Sequence, residues 1–169
     1  MTERARASNA FASRPVTLHF AYGSNMSRAL MRSRCRDAKA LGIARLPGWC
    51  FTINREGFGS IAPEPGGCVL GVLWRISTRD LVAINAYESI STGLYVRRRL
   101  AVRINGRQAP ALIYITRQGG KGRPRPSYID LVVQAARDWD LPERYIRSLA
   151  RWSPSGWRGV RVPDTGEVG

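Results

Sequence analysis

Apolar and polar positions alternate from the first strong segment onward. Val16, Leu18 and Phe20 against Thr17 and His19 predict a half-buried strand that breaks at Gly23. In "SNMSRALMRSRCRDA" the apolar residues Met26, Ala29 and Leu30 fall at helical spacing, with Ser24, Asn25 and Ser27 available as caps. The expected order is therefore strand, tight loop, helix start. "ALGIARLPGWCFTINREG" reads as a strand broken at Pro47-Gly48, followed by a second extended run through Phe51 and Ile53. The run "GGCVLGVLWRIS" is almost continuously apolar and bounded by glycine, which predicts a buried strand. "STRDLVAINAYES" then opens on a Ser77 or Thr78 cap, aligns Leu81, Ile84 and Tyr87 on one helical face and ends near Glu88.

The second half repeats the change of period. "LYVRRRLAVRI" and "APALIYIT" flank Asn105-Gly106, a strong short signal for a hairpin. Leu94, Val96, Leu100, Val102 and Ile104 share one face of the first strand and Arg97, Arg99 and Arg103 the other, with Arg98 on the apolar side. "RQGGKGRPRP" reads as a flexible basic loop. "SYIDLVVQAARDWDL" and "PERYIRSLARW" predict two helices, the second with Pro142 in its first turn. These elements describe an α+β fold, a small, mixed, largely antiparallel sheet able to curl into a barrel, with flanking helices. One domain over residues 15–152 is expected, between a leader over 1–14 and an irregular tail over 153–169.

Composition narrows the function classes. With 44% hydrophobic and 23% charged residues the chain is globular, and no apolar run reaches the length of a membrane helix. The basic, Ala- and Ser-containing start lacks the apolar centre of a secretory signal, so a cytoplasmic protein is expected. Cys35, Cys50 and Cys68 are an odd number of cysteines without a Cys-x-x-Cys pair, which reads as reduced thiols rather than a zinc site. The net charge of +15 comes almost wholly from arginine, since Lys39 and Lys121 are the only lysines. Such a field attracts anions. The arginines are spread along the chain with no zinc-finger, helix-turn-helix or RNP-like signature, so nucleic acid is not the expected partner.

Candidate chemistry is sparse. The single histidine, His19, sits in a strand pattern and reads as a strand residue. Gly23-Ser24-Asn25 presents backbone N–H groups at a helix start, where an anion is favoured, but turn and cap needs alone would select the same residues. Among 12 carboxylates, Asp80, Asp130, Asp138 and Glu143 look structural. Glu88 differs, since it stands where a helix gives way to "SISTGLY", between Tyr87, Ile90 and Leu94. Partial desolvation there would raise its pKa and make it a better base.

The pieces in order, "FAYGSNM", "GGCVLGVLWRIS", "YESISTGLYVRRRLAV" and "RPSYIDLVVQAARDWDLPERYIRSL", resemble the gamma-glutamylcyclotransferase family over roughly residues 18–151. The spacing of Glu88 to Gly93 and Tyr95, and the late Pro126, Tyr128, Leu141, Pro142 and Tyr145, carry most of the likeness. The resemblance implies a small mixed-sheet barrel, a substrate loop at Tyr22, Gly23, Ser24 and Asn25, a catalytic Glu88 and site tyrosines Tyr95 and Tyr128. It implies ring closure of a gamma-glutamyl amide to 5-oxoproline with release of an amine, without metal or cofactor. A homodimer is expected on base rates for a small metabolic enzyme. The alternative is a non-catalytic binding module of the same fold whose arginines serve an anionic partner such as nucleic acid. The heavy arginine load and Arg98 depart from the family pattern.

Overall fold

The computed structural model describes residues 16–88, 93–117 and 121–153. Five strands, β1 (Thr17–Ala21), β2 (Lys39–Ile53), β3 (Gly59–Ile76), β4 (Tyr95–Ile104) and β5 (Arg107–Thr116), close into a barrel in the order β1-β3-β2-β4-β5. All neighbours run antiparallel except β1 and β5, which meet in parallel where His19 pairs with Leu112. The expected leader and all of the expected tail beyond Ser153 lie outside the described residues.

β3 is hydrogen-bonded to β1 on one side and to β2 on the other, which is why its apolar run is nearly unbroken. Val69, Val72, Leu73 and Ile76 are all buried. One cluster, with Phe20, Leu46, Val69, Leu73, Val102 and Ile113, fills the barrel. A second lies beneath the helices and joins Trp74 and Ile84 to Met31, Ile129, Val132, Ala136, Ile146 and Leu149. The helices are α1 (Arg28–Arg34), α2 (Thr78–Tyr87), α3 (Tyr128–Asp138) and α4 (Glu143–Ala150).

Several boundaries differ from the sequence expectation. Pro47-Gly48 does not break β2; Pro47 pairs with Cys68 and Trp49 with Pro63, so residues 64–67 bulge opposite Gly48 and pairing resumes. β3 accordingly starts at Gly59, well before the apolar run. Pro142 precedes α4 as its N-cap instead of lying in its first turn. Between β1 and α1 a 3-10 turn over Ser24–Met26 intervenes, and of the candidate caps Ser27 accepts the Leu30 N–H at 3.3 Å.

The β4–β5 turn is as expected: Asn105 and Gly106 both take positive φ, 50° and 73°, and Ile104 pairs with Arg107. α2 starts on a capping box in which Ser77 and Asp80 each accept the other's backbone N–H at 3.1 Å. Asp80 also accepts the Asp37 N–H at 3.3 Å, so its carboxylate is structural. Tyr87, aligned by the pattern with Ile84, is exposed instead. Arg98 keeps the alternation of Leu100 and Val102 and pairs with the buried Ile113, yet its side chain is exposed; the guanidinium escapes the apolar face.

The basic loop is not free where it is described. Gly122 donates to the Ile53 carbonyl at 2.8 Å, Arg125 N–H to Gly57 at 3.0 Å and Arg125 Nε to Glu56 at 2.8 Å, so residues 121–126 dock on the β2–β3 turn. Residues 118–120 of that loop lie outside the described residues.

Candidate active site

β1 emerges from the barrel at Ala21 and the chain turns at once. Met26 N–H bonds to Gly23 and Ser27 N–H to Ser24, each at 3.0 Å, which tightens Gly23-Ser24-Asn25 into the 3-10 turn at the barrel mouth. Glu88 caps the C-terminus of α2, its N–H held by Ile84 at 2.8 Å. Tyr95 opens β4 and Tyr128 opens α3. These four elements meet around a cavity of about 250 Å³, and Tyr22, Gly23, Ser24, Asn25, Glu88, Tyr95 and Tyr128 all line it. The stretch 89–92 beside Glu88 lies outside the described residues.

Glu88 is the carboxylate among the lining residues. Burial pushes its pKa up to about 7, although the Arg34 guanidinium and a hydrogen bond from Asn25 pull the other way. Asn25, 5% exposed, donates from Nδ2 to Glu88 Oε1 at 3.0 Å. Asn25 therefore reaches the site through its side chain, not only through the backbone N–H that the sequence suggested.

The tyrosine hydroxyls are engaged by the protein itself. Tyr22 donates to the Tyr114 carbonyl. Tyr95 donates to the Gly59 carbonyl at 3.0 Å and receives Asn54 Nδ2 at 3.3 Å. Tyr128 is held by backbone hydrogen bonds from Gly59 and Ser24. Burial raises the pKa of all three, so each hydroxyl keeps its proton. The Tyr128 oxygen also fixes two glycines, since a Cβ on Gly23 or Gly59 would lie 2.8 Å from it.

Tyr87 and Leu94, which the sequence set beside Glu88, line the cavity too, and it includes residues that sequence reasoning did not place there: His19, Phe58, Gly59 and Tyr114. Phe58 and Gly59 arrive on the β2–β3 turn, where Asn54 Oδ1 accepts the Phe58 N–H at 2.9 Å. No local signal in "NREGFGS" points to a site, because its turn chemistry is satisfied locally. His19 is buried at 2% exposure, with Nδ1 3.2 Å from the Leu112 carbonyl and Nε2 without a hydrogen-bond partner among the described residues. Burial lowers its pKa to about 4, so it is neutral near pH 7 and reads as a wall of the cavity.

Residues 68–149 match the AIG2-like family. Relatives from Mus musculus and Homo sapiens, both named gamma-glutamylcyclotransferase, are 25% identical over 153 residues, spanning 84% of this chain and 81% of theirs. A solved structure named gamma-glutamyl cyclotransferase superposes with a TM-score of 0.77 at 24% identity, covering 86% of this chain and 92% of its own. A human crystal structure of a protein described as uncharacterized gives a TM-score of 0.76 at 25% identity, over 85% and 92%. With the motifs in order and the barrel closed, the chain is similar in sequence to gamma-glutamylcyclotransferases, matches the AIG2-like family over residues 68–149 and shares the fold of a solved gamma-glutamyl cyclotransferase.

Proposed function

We propose that the protein is a gamma-glutamylcyclotransferase in which Glu88 carries the proton. The substrate is a gamma-glutamyl amide, whose own α-amine attacks its γ-carbonyl carbon. The C–N bond to the leaving amine breaks, and 5-oxoproline and a free amine result with no water consumed. Nucleophile and electrophile are tethered in one molecule, and holding the folded conformer is worth effective molarities on the order of 10⁵ M or more. The reaction thus asks the protein for conformation, proton transfer and stabilisation of an oxyanion.

The carrying observation is the enclosed Glu88, with its pKa near 7, at the wall of a cavity. The α-ammonium, with a pKa of about 7.8, would lose its proton to an ordinary glutamate at a cost of roughly 5 kcal/mol, and to Glu88 near 7 at roughly 1 kcal/mol. Glu88 takes that proton as base and returns it to the departing nitrogen as acid, and the second proton, which the attacking nitrogen sheds as the ring amide forms, follows the same route, so the amine leaves as an ammonium. Of the backbone N–H groups in the Gly23–Asn25 turn, that of Ser24 is given to the Tyr128 oxygen, and those of Gly23 and Asn25 are assigned the α-carboxylate and the oxyanion of the γ-carbonyl. Tyr22, Tyr95 and Tyr128 wall the substrate in, and their internal hydrogen bonds make that wall rigid.

The test is mass-spectrometric detection of 5-oxoproline from a panel of gamma-glutamyl dipeptides, gamma-glutamyl amines and glutathione. Wild type is expected to give product, and Glu88→Gln, which still accepts from Asn25, to lose turnover by at least ~10²-fold while staying folded. Retained turnover in Glu88→Gln would remove Glu88 from the mechanism.

A further inference from the structure

We propose that Arg34 is a positioning residue of this site, fixing the orientation of the Asn25 carboxamide so that Nδ2 faces Glu88. The inference rests on the reading of Glu88 as the proton carrier. Arg34 ends α1 and lies half-buried, outside the lining of the cavity. Its Nη1 donates to Asn25 Oδ1 and, at 3.4 Å, to Ser24 Oγ. Its guanidinium carbon sits 3.5 Å from the centroid of the Tyr87 ring.

The chemistry of the two groups leaves one arrangement. A guanidinium carries donors only, so the Asn25 atom that faces it is the carbonyl oxygen. The amide nitrogen is then turned to Glu88, where it donates at 3.0 Å. Rotating the carboxamide by half a turn would set N–H against the guanidinium and oxygen against the carboxylate. Asn25 is too buried for water to relieve either mismatch. One cation at the rim thus orders a donor inside the cavity.

Arg34 also acts on Glu88 through its charge. The groups around Glu88 are Asn25 from the 3-10 turn, Arg34 from α1, Tyr22 from β1, Tyr87 from its own helix, Tyr95 from β4, Tyr114 from β5 and Tyr128 from α3. Tyr22, Tyr95, Tyr114 and Tyr128 are held neutral by burial, which leaves Arg34 as the cation acting on Glu88 in this set. Both its charge and the donor it orders favour the ionised carboxylate. Removing Arg34 therefore raises the Glu88 titration and starves the base on the acid side. A purely structural Arg34, a cation at a helix C-terminus clamped on Tyr87, would change stability and nothing else.

The experiment compares wild type, Arg34→Met, Arg34→Lys, Asn25→Ala and the Arg34→Met/Asn25→Ala pair. Three quantities are read: the pH titration of the Asn25 side-chain amide by ¹⁵N–¹H NMR, the acidic limb of kcat/KM, and the thermal midpoint. In Arg34→Met the Asn25 titration and the acidic limb are expected to move up together by about one pH unit, with turnover on the acid side falling about tenfold. Arg34→Lys recovers part of the shift by restoring the charge, and Arg34→Met has a smaller effect once Asn25 is gone. An Arg34→Met protein with a lowered thermal midpoint, but with the Asn25 titration and the acidic limb unmoved, would overturn the proposal. If no gamma-glutamyl substrate gives product with wild type but the Asn25 titration still follows Arg34, the reaction fails and the positioning stands.

Discussion

Two desolvated titratable side chains set opposite pH slopes on stability. Glu88 titrates near 7 when folded against 4.5 in the open chain, so between those values the unfolded state has lost a proton that the native state keeps. Its contribution falls as pH rises through that window. His19 titrates near 4 when folded against 6.5 unfolded, so there the unfolded state holds the extra proton and stability is lost as pH falls. Each contribution is worth up to about 3 kcal/mol, and they oppose one another where the windows overlap. Glu88→Gln is expected to unmask the histidine slope, gaining stability relative to wild type above pH 7. His19→Phe, whatever its absolute cost, should leave stability falling from pH 4.5 to pH 7. Urea denaturation across pH 4 to pH 8 reads both, and parallel curves for the three proteins would contradict the assignment.

Among the elements, the contact that sets the cavity is that of α3 with the turns after β1 and before β3. The Tyr128 oxygen sits where a Cβ of Gly23 or Gly59 would be, at 2.8 Å. Gly23 has a negative φ of −118°, and an alanine there meets the hydroxyl. Gly23→Ala is expected to lower stability by about 1–3 kcal/mol, as overpacking does, and Tyr128→Phe in the same chain to recover part of it. Thermal unfolding of the single and double variants checks this; equal losses with and without the hydroxyl would locate the clash elsewhere. That glycine was legible as turn chemistry from "YGSN", but its neighbour across the cavity was not, because Tyr128 lies on the far side of the chain.

At the scale of the whole molecule, the excess of positive charge bears on stability. At +15 the chain repels itself, and the barrel sharpens this by pairing Arg45 with Arg103 across β2 and β4, both exposed. Screening should therefore stabilise the fold. The urea midpoint is expected to rise between about 0.05 M and 0.5 M sodium chloride, and Arg103→Glu to add about 0.5–1 kcal/mol of unfolding free energy at low salt while flattening the response. A midpoint that falls with salt would show attractive pairs to dominate. As for the membrane, among the described residues no helix is long and apolar enough to cross one.

The sequence by itself determined the elements whose causes are local. The Asn105-Gly106 turn, the cap that starts α2, left open between Ser77 and Thr78 and taken by Ser77, and the buried apolar run of β3 follow from neighbours within a few residues. The resemblance of ordered motifs also named the residues that converge, Tyr22 to Asn25, Glu88, Tyr95 and Tyr128, since motif order survives without coordinates. Tertiary structure alone decided the rest. It carried pairing of β2 past Pro47-Gly48 because a partner strand could absorb the bulge. It docked the basic loop on the β2–β3 turn. It set Arg34 against Asn25 and Asn25 against Glu88, a chain of contacts whose last step spans 63 positions of sequence. Burial and facing charge fix the pKa of Glu88, and both belong to the space around a residue and not to its place in the chain.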